Sequence, residues 1–145
     1  MITIPQINRL VNYLYGKDSS ELSMLVPDKF YIGLSTFEIG SNGLIKGEIS
    51  TQNTGYQRIE IANDKTHFTK ATTANNGVVA NTQAITWPIS QTSWGTIKSI
   101  FITSNATPTQ NEYALYVTST NIPVGAGVNL YYEVGALKFT ISAGE

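Results

Sequence analysis

The sequence predicts an all-β protein, an antiparallel β-sandwich of about seven or eight strands preceded by an amphipathic helix at the N-terminus. The apolar residues change from a helical period to a period of two after Pro27. Short apolar segments then recur at near-regular spacing and are separated by Pro, Gly and Asn, which is typical of strands and turns. Two tryptophans, Trp87 and Trp94, flank one short loop and are predicted to anchor the core.

The first segment is predicted to be an amphipathic helix. Thr3 suits the cap at its start, Pro5 suits its first turn, and Gly16 suits its end. Its apolar residues are spaced to form one stripe along the helix, which comprises Ile7, Leu10, Val11 and Leu14. Two interpretations of this stripe remain open. It packs on a sheet or closes one end of the sandwich, or it docks on a neighbouring subunit.

A second short helix is predicted before the strands begin. Asp18 and Glu21 have the spacing of a capping box, and Pro27 ends the apolar segment that follows them. The helical segment 1–27 and the sandwich 28–145 are interpreted as parts of one domain, because 145 residues suffice for one core and no linker composition interrupts them.

Strands and turns account for the rest of the predicted domain. The segment 96–103 is apolar on both faces around Ile100, Phe101 and Ile102, which predicts a central strand. Residues 38–55 are rich in Gly, Ser, Asn and Thr and are predicted to form a long loop or a weak hairpin. Asn75-Asn76-Gly77 is typical of a tight hairpin turn. The predicted strands are 30–35, 56–62, 78–87, 96–103, 113–118, 128–134 and 136–141.

The composition favours a protein that stays attached to an assembly. Charged residues make up 13% of the chain, against about 25% in an average soluble domain, and polar uncharged residues take their place. The net charge is −1 and the nine Lys and Arg residues are scattered, so nucleic acid is not an expected partner. There is no cysteine. We expect neither a signal peptide nor a segment inserted in a membrane.

The sequence offers little for catalysis. His67 is the only histidine, so a two-histidine zinc site is excluded within one chain, and no nucleophile motif surrounds it. The carboxylates are isolated along the sequence, and Gly125-Ala126-Gly127 lacks the residues that follow a phosphate-binding loop. We therefore predict no enzyme activity, no cofactor and no metal site. A small hydrolase that uses His67 is the least favoured alternative.

Aromatic residues are the remaining candidates for binding. Alternation along the strand turns Tyr131 outward if Leu130 and Val134 point inward. An outward tyrosine favours a subunit interface. The alternative is a carbohydrate-binding platform that uses Trp87, Trp94 or Tyr131.

Several short motifs occur in a recognisable order along nearly the whole chain. They are Tyr31-Ile32-Gly33-Leu34-Ser35, Gly55-Tyr56-Gln57-Arg58, Ile85-Thr86-Trp87-Pro88, Trp94-Gly95-Thr96-Ile97, Pro123 with Gly127, and Gly135-Ala136-Leu137-Lys138-Phe139-Thr140-Ile141. This ordered set resembles a family of small bacteriophage virion proteins, commonly called tail-fibre-like proteins. The chain departs from the family pattern at Phe101-Ile102-Thr103-Ser104, where the usual Asp is missing.

The resemblance implies a non-enzymatic structural component of a bacteriophage virion, tail-fibre-like or collar- or tail-associated, assembled in several copies in the cytoplasm of the bacterial host. The alternatives are a capsid decoration or head-fibre protein and a carbohydrate-binding module for receptor recognition. The expected partners are other virion proteins and further copies of the chain, with a host surface glycan in the last alternative. Deleting residues 1–16 is expected to abolish incorporation and leave a folded β-domain.

The motif residues themselves are predicted to stabilise the fold. Gly55 supplies a turn before Tyr56, and Arg58 is expected to hold a loop carbonyl or a carboxylate on the outward face. Pro88 ends the strand of Trp87, and Gly95 permits close backbone approach beside Trp94. The candidate subunit interface comprises Ile7, Leu10, Val11, Leu14 and Tyr131. The loops 38–54 and 107–111 are the candidates for outward display.

Overall fold

The computed structural model describes residues 1–74 and 76–141. Two short α-helices come first, α1 (Ile4–Leu14) and α2 (Leu22–Leu25), with a 3-10 turn (Ser19–Glu21) between them. The strands follow in chain order as β1 (Lys29–Ser35), β2 (Ile59–Ala62), β3 (Val79–Ala80), β4 (Ile85–Thr86), β5 (Gly95–Thr103), β6 (Tyr116–Val124), β7 (Tyr131–Tyr132) and β8 (Lys138–Phe139).

The strands form antiparallel sheets. Four of them make one sheet in the order β2-β1-β5-β6, while β3 pairs with β8 and β4 pairs with β7 in two short ladders. The central position of β5 is confirmed, because β1 and β6 lie on either side of it. In the β1–β5 register Ile32 lies opposite Ile102 and Leu34 opposite Ile100, which places apolar pairs on the same face of the sheet.

Both faces of the four-stranded sheet are covered. The larger core joins Ile32 and Ile100 of the sheet to Ile85, Leu130 and Leu137 from the two ladders and their flanks, so the ladders pack over one face. On the other face a smaller cluster forms around Phe101, with Ile39, Ala114 and Val117. Two covered faces explain why β5 carries the apolar run Ile100-Phe101-Ile102, which points to both sides of the sheet.

The predicted strand 78–87 is interrupted between Ala80 and Ile85, where Asn81 is bonded on several sides. The buried side chain of Asn81 donates hydrogen bonds to the carbonyl oxygens of Gln83 (2.8 Å) and Glu133 (3.0 Å), and it accepts one from the backbone N–H of Leu137 (2.9 Å). The backbone of Asn81 also donates to the carbonyl of Leu137 (3.2 Å) and accepts from the N–H of Gly135 (2.9 Å). Asn81 therefore connects the two ladders, and β3 and β4 are separate strands of two residues each.

Two other strand predictions were wrong in position. β6 begins later than predicted and runs through Pro123, which an edge strand tolerates because its outer N–H needs no partner in the sheet. Val134 is exposed instead of inward, because β7 ends at Tyr132 and the chain then turns at Gly135, with φ of +80°. Of the predicted hairpin turn, Asn75 lies outside the described residues, while Asn76 and Gly77 have φ of 58° and 74°.

The N-terminal residues extend the sheet before α1 begins. Ile2 pairs antiparallel with Tyr116, and the backbone N–H of Thr3 donates to the carbonyl of Leu115 at 3.2 Å. Thr3 stands at the cap position of α1, but its hydroxyl donates to the carbonyl of Ala114 (2.6 Å) instead of capping the helix. The predicted hydrogen bond of the cap is therefore wrong, and residues 1–3 pair instead with the start of β6 and the two residues before it. Asp18 accepts a hydrogen bond from the N–H of Ser20 (3.1 Å) and so caps the 3-10 turn.

Candidate interaction surface

The apolar face of α1 points away from the protein. Four residues along it are between 38% and 57% exposed, namely Ile4, Ile7, Val11 and Leu14. Tyr15, which follows the helix, is 84% exposed on its own. Only Leu10 of the predicted stripe is half-buried. The interpretation in which this stripe packs on a sheet is therefore wrong for Ile7 and Val11.

A polar side chain holds the inner face of α1. Gln6 is buried, and its Nε2 donates to the carbonyls of Met24 (3.2 Å) and Leu25 (3.4 Å) in α2. Arg9 Nη1 donates to Gln6 Oε1 at 3.1 Å, and its Nε lies 4.0 Å from Glu21. The helix is thus inverted relative to an ordinary surface helix, with hydrogen-bonding groups inward and aliphatic side chains outward.

A cavity of about 840 Å³ lies beside the inner part of α1. Its walls come from both helices, from β1 and from the β3–β8 ladder, and they are largely apolar. The residues that define it include Leu10, Leu25, Phe30, Phe68 and Phe139. The half-buried Leu10 therefore faces this hollow, and Leu14, one turn further on, lies at its edge, whereas Ile4, Ile7 and Val11 are not among the residues that line it.

Tyr131 lies on a different element from the helix stripe. It is 54% exposed on β7, where it pairs with Thr86 of β4. The neighbouring Tyr132 is half-buried and packs edge-on against Trp87, with ring centroids 6.4 Å apart. The candidate interface residues therefore form two surfaces, one on α1 and one at Tyr131.

Both tryptophans are buried in the larger core. Trp87 is 1% exposed and Trp94 is 4% exposed, so neither can serve as a stacking platform for a sugar, and that alternative is wrong for these two residues. Trp94 Nε1 donates to the carbonyl of Thr54 (2.9 Å), and its ring meets Tyr56 edge-on at 5.6 Å. Pro88, directly after Trp87, is half-buried.

The two motif glycines are required for different reasons. Gly55 has φ of +78°, and a Cβ there would lie 2.7 Å from the carbonyl oxygen of Ile89, so both conformation and space demand glycine. Gly95 has φ of +80°, but its nearest contact would be an ordinary 3.6 Å to Thr36. The close approach predicted at Gly95 is wrong, and its backbone conformation is what favours glycine.

A buried ionic cluster forms around Arg58. Its guanidinium donates to Glu48 through Nε (2.9 Å) and Nη2 (2.8 Å), and to Glu112 through Nη2 (2.8 Å) and Nη1 (3.0 Å). Nη1 also donates to the carbonyl of Asn105 at 2.9 Å. The Arg58 side chain is 1% exposed. It therefore binds both a carbonyl and carboxylates, but under the loops and not on an outward face as predicted.

The charges of this cluster stabilise one another. Burial disfavours the charge of Arg58, but hydrogen bonds and negative charge from Glu48 and Glu112 outweigh it and raise the pKa of the guanidinium. Burial likewise disfavours the charge of Glu112, but hydrogen bonds from Arg58 and Thr103 hold the pKa of this carboxyl below its ordinary value. Two carboxylates held by one guanidinium are committed to structure and are poor candidates for acid–base chemistry.

Tyr56 extends the cluster towards β1. Its hydroxyl donates to Glu48 Oε2 (2.6 Å) and accepts from the backbone N–H of Leu34 (3.1 Å). Burial, together with the nearby carboxylate of Glu48, raises the pKa of Tyr56 well above its ordinary value. The tyrosine therefore remains protonated and acts as a donor, which ties the Gly55–Arg58 motif to the central sheet.

The two candidate display loops differ. In the loop 38–54, Ile39 and Ile49 are buried and Glu48 belongs to the ionic cluster, so this loop is partly packed. Residues 105–111 are exposed. Thr109 N–H still donates to Glu112 at 3.3 Å, which anchors the end of this exposed loop to the ionic cluster.

His67 takes part in a local turn. Its Nδ1 lies 2.6 Å from Asp64 Oδ1, three residues earlier, and the side chain is half-buried. Within residues 1–74 and 76–141, no three His, Asp or Glu side chains gather in a way that could hold a metal ion. No helix in this described part is long and apolar enough to cross a membrane.

The fold and surfaces together define a small, mostly β-structured protein with an outward apolar helix and a buried ionic cluster. The chain belongs to the family described as Podophage GP4 fiber I protein gp80, whose sequence model matches residues 7–140. A search among curated proteins finds no match. Membership of a phage fibre family makes the protein a structural component of the virion.

Proposed function

We propose that this protein is a non-enzymatic fibre component of a podophage virion, present in several copies and attached to its neighbours through the outward face of α1. The family supplies the virion role. The single observation that carries the attachment is the row of exposed aliphatic side chains on a helix whose inner face is held by hydrogen bonds.

The outward face of α1 differs from ordinary surface hydrophobicity. Single exposed apolar residues are common on proteins and require no explanation, whereas a contiguous row is typical of an interaction surface. Burying one such side chain completely is worth about 1.5 to 3 kcal/mol. A neighbouring protein that covers the row removes these side chains from water and so stabilises the complex, which favours an attachment role for α1.

The rest of the fold supports a role in which the protein displays exposed loops and side chains on the surface of the particle. We interpret the four-stranded sheet and the two ladders across its larger core as the two layers of an antiparallel sandwich. The exposed loop 105–111 and Tyr131 remain free of this core. In several copies on a symmetric particle, such surfaces are presented many times over, so weak contacts add up through multivalency.

A test of this role uses charge on the helix face. The double variant Ile7→Glu/Val11→Glu places two carboxylates on the outward row without touching Gln6, and phage produced with it are expected to lack the protein. A matched control, Gln52→Glu/Gln83→Glu, adds the same charge at exposed positions elsewhere and is expected to give normal particles. Protein content is measured by mass spectrometry of purified particles. Normal incorporation of the helix variant would refute attachment through α1.

A further inference from the structure

We propose that the partner of the outward face of α1 is α1 of another copy of the same chain. This inference rests on the proposed function and names the partner of that site. The exposed residues Ile4, Ile7, Val11 and Leu14 are separated by three, four and three positions. This is the a/d spacing of a coiled-coil seam, in which each helix offers the same narrow row to the other.

The charge distribution favours a helix of the same kind. Arg9 is the only charged residue of α1, and it points inward to Gln6 and Glu21. The positions that flank the row are Asn8, Leu10 and Tyr15, all uncharged. Two copies of this face can therefore meet without like charges opposing each other, whereas a charged partner would find nothing on this face to pair with.

The helix is already held in the geometry that pairing requires. Residues 1–3 pair with the start of β6, and Gln6 is hydrogen-bonded to α2, so α1 is fixed at both its start and its inner face. Little ordering free energy is lost when a second helix docks on a face of this kind. Pre-organisation matters here because isolated helices of this length are marginal in water.

The seam is short. An 11-residue helix is about 16 Å long at 1.5 Å per residue, so one pair of helices buries little surface. We expect the contact to be weak between two free molecules and to be reinforced where several copies share a symmetric assembly. A covalent trap is therefore the appropriate readout, because it accumulates a transient contact.

The absence of cysteine from the chain makes disulfide trapping clean. Single cysteines are placed at the row, as Val11→Cys and Ile7→Cys, in the full-length protein. The control Asn12→Cys lies one residue further on and points about 100° away from Val11, at an exposed position. Each purified variant is oxidised with oxidised glutathione, and covalent dimers are followed over time on non-reducing gels.

The expected result is dimer formation at least tenfold faster on the row than at Asn12→Cys. Parallel helices bring Val11 opposite Val11 and give the Val11→Cys homodimer. Antiparallel helices, centred on the row, bring Ile7 opposite Val11 and give the mixed dimer of the two variants. Thermal unfolding matching the unmodified protein shows that the variants are folded. The inference is overturned if neither dimer forms faster than the control.

Failure of the inference is distinguishable from failure of the proposed function. If the cysteines on the row give no excess of dimer while Ile7→Glu/Val11→Glu still prevents incorporation, then α1 attaches to a different virion protein and the fibre role stands. If the glutamate variant incorporates normally, attachment through α1 fails whatever the disulfide result.

Discussion

Arg58 connects segments that lie far apart in the chain. It joins Glu48 of the loop after β1 to Asn105 and Glu112 of the loop after β5, across separations of 10, 47 and 54 positions. Its guanidinium also lies over the ring of Phe101, 5.2 Å from the centroid. One side chain thus fixes two loops to the same face of the sheet.

Removing this guanidinium is expected to destabilise the protein strongly. Arg58→Ala leaves Glu48 and Glu112 buried without their cation, which costs about 3 to 5 kcal/mol. The matched control is Lys29→Ala, which breaks an ion pair with Glu60 at 3.2 Å in which both side chains are about half exposed, and a much smaller loss is expected there because water screens the pair. Urea unfolding at pH 7 measures both free energies. Similar losses in the two variants would contradict a structural role for the cluster.

The sequence predicts the kind of group that Arg58 binds more readily than it predicts which residues supply that group. An arginine beside polar loops indicates a carbonyl or carboxylate partner, and the structure contains both kinds. Glu112 was not singled out, because a contact across 54 positions leaves no local spacing in the sequence. The burial of Arg58 was missed for the same reason, since the loops that cover it pack only through long-range contacts.

For the helices and strands too, local sequence patterns predict some features, whereas features that depend on long-range contacts are missed. The periodicity of the apolar residues predicts that α1 exists. It does not predict which way the apolar face points, because the pattern is the same whether a sheet or solvent lies opposite that face. The prediction covers nearly all of the long strand β5, since the apolar run Ile100-Phe101-Ile102 at its centre leaves a strong pattern. The strands β3, β4, β7 and β8 are only two residues long each, shorter than predicted. The turn at Gly135, with φ of +80°, separates β7 from β8.

The packing of β1 on the smaller core depends on the absence of one side chain. Gly33 lies opposite Phe101 in the register, and a Cβ at Gly33 would be 2.2 Å from Phe101 Cζ. Gly33→Ala therefore forces the fully buried ring to move, and we expect a loss of about 1 to 3 kcal/mol. Equilibrium urea unfolding provides the measurement.

Two further variants separate this clash from a general effect of alanine. At Gly125 no heavy atom lies within 4 Å of a Cβ position, so Gly125→Ala is expected to change stability by less than about 0.5 kcal/mol. The double variant Gly33→Ala/Phe101→Leu is expected to be less destabilised than the sum of its single variants, because the smaller side chain relieves the clash. Simple additivity would rule out the clash as the cause.

At the scale of the whole molecule, the N-terminal segment is continuous with the β-structure. The backbone N–H of Val117 donates to the carbonyl of Met1 at 2.8 Å, and Thr3 is fully buried beside Ala114. The side chain of Thr3 also packs against Gly43, where an added Cβ would lie only 2.8 Å from Cγ2 of Thr3. The sequence pattern separates a helical segment from the strands, whereas these contacts join its first residues to β6 and to the loop after β1.

Deleting residues 1–16 is therefore expected to weaken the fold as well as attachment. The truncation removes the backbone hydrogen bonds of Met1 with Val117 and of Thr3 with Leu115, worth about 2 to 4 kcal/mol together, which lowers Tm by roughly 5 to 15 °C. Ile7→Glu/Val11→Glu changes only exposed positions and is expected to keep Tm within about 2 °C of the unmodified protein. Thermal unfolding followed by circular dichroism compares the three proteins. An unchanged Tm in the truncated protein would show that residues 1–16 are dispensable for folding, and only then would loss of incorporation on truncation report attachment alone.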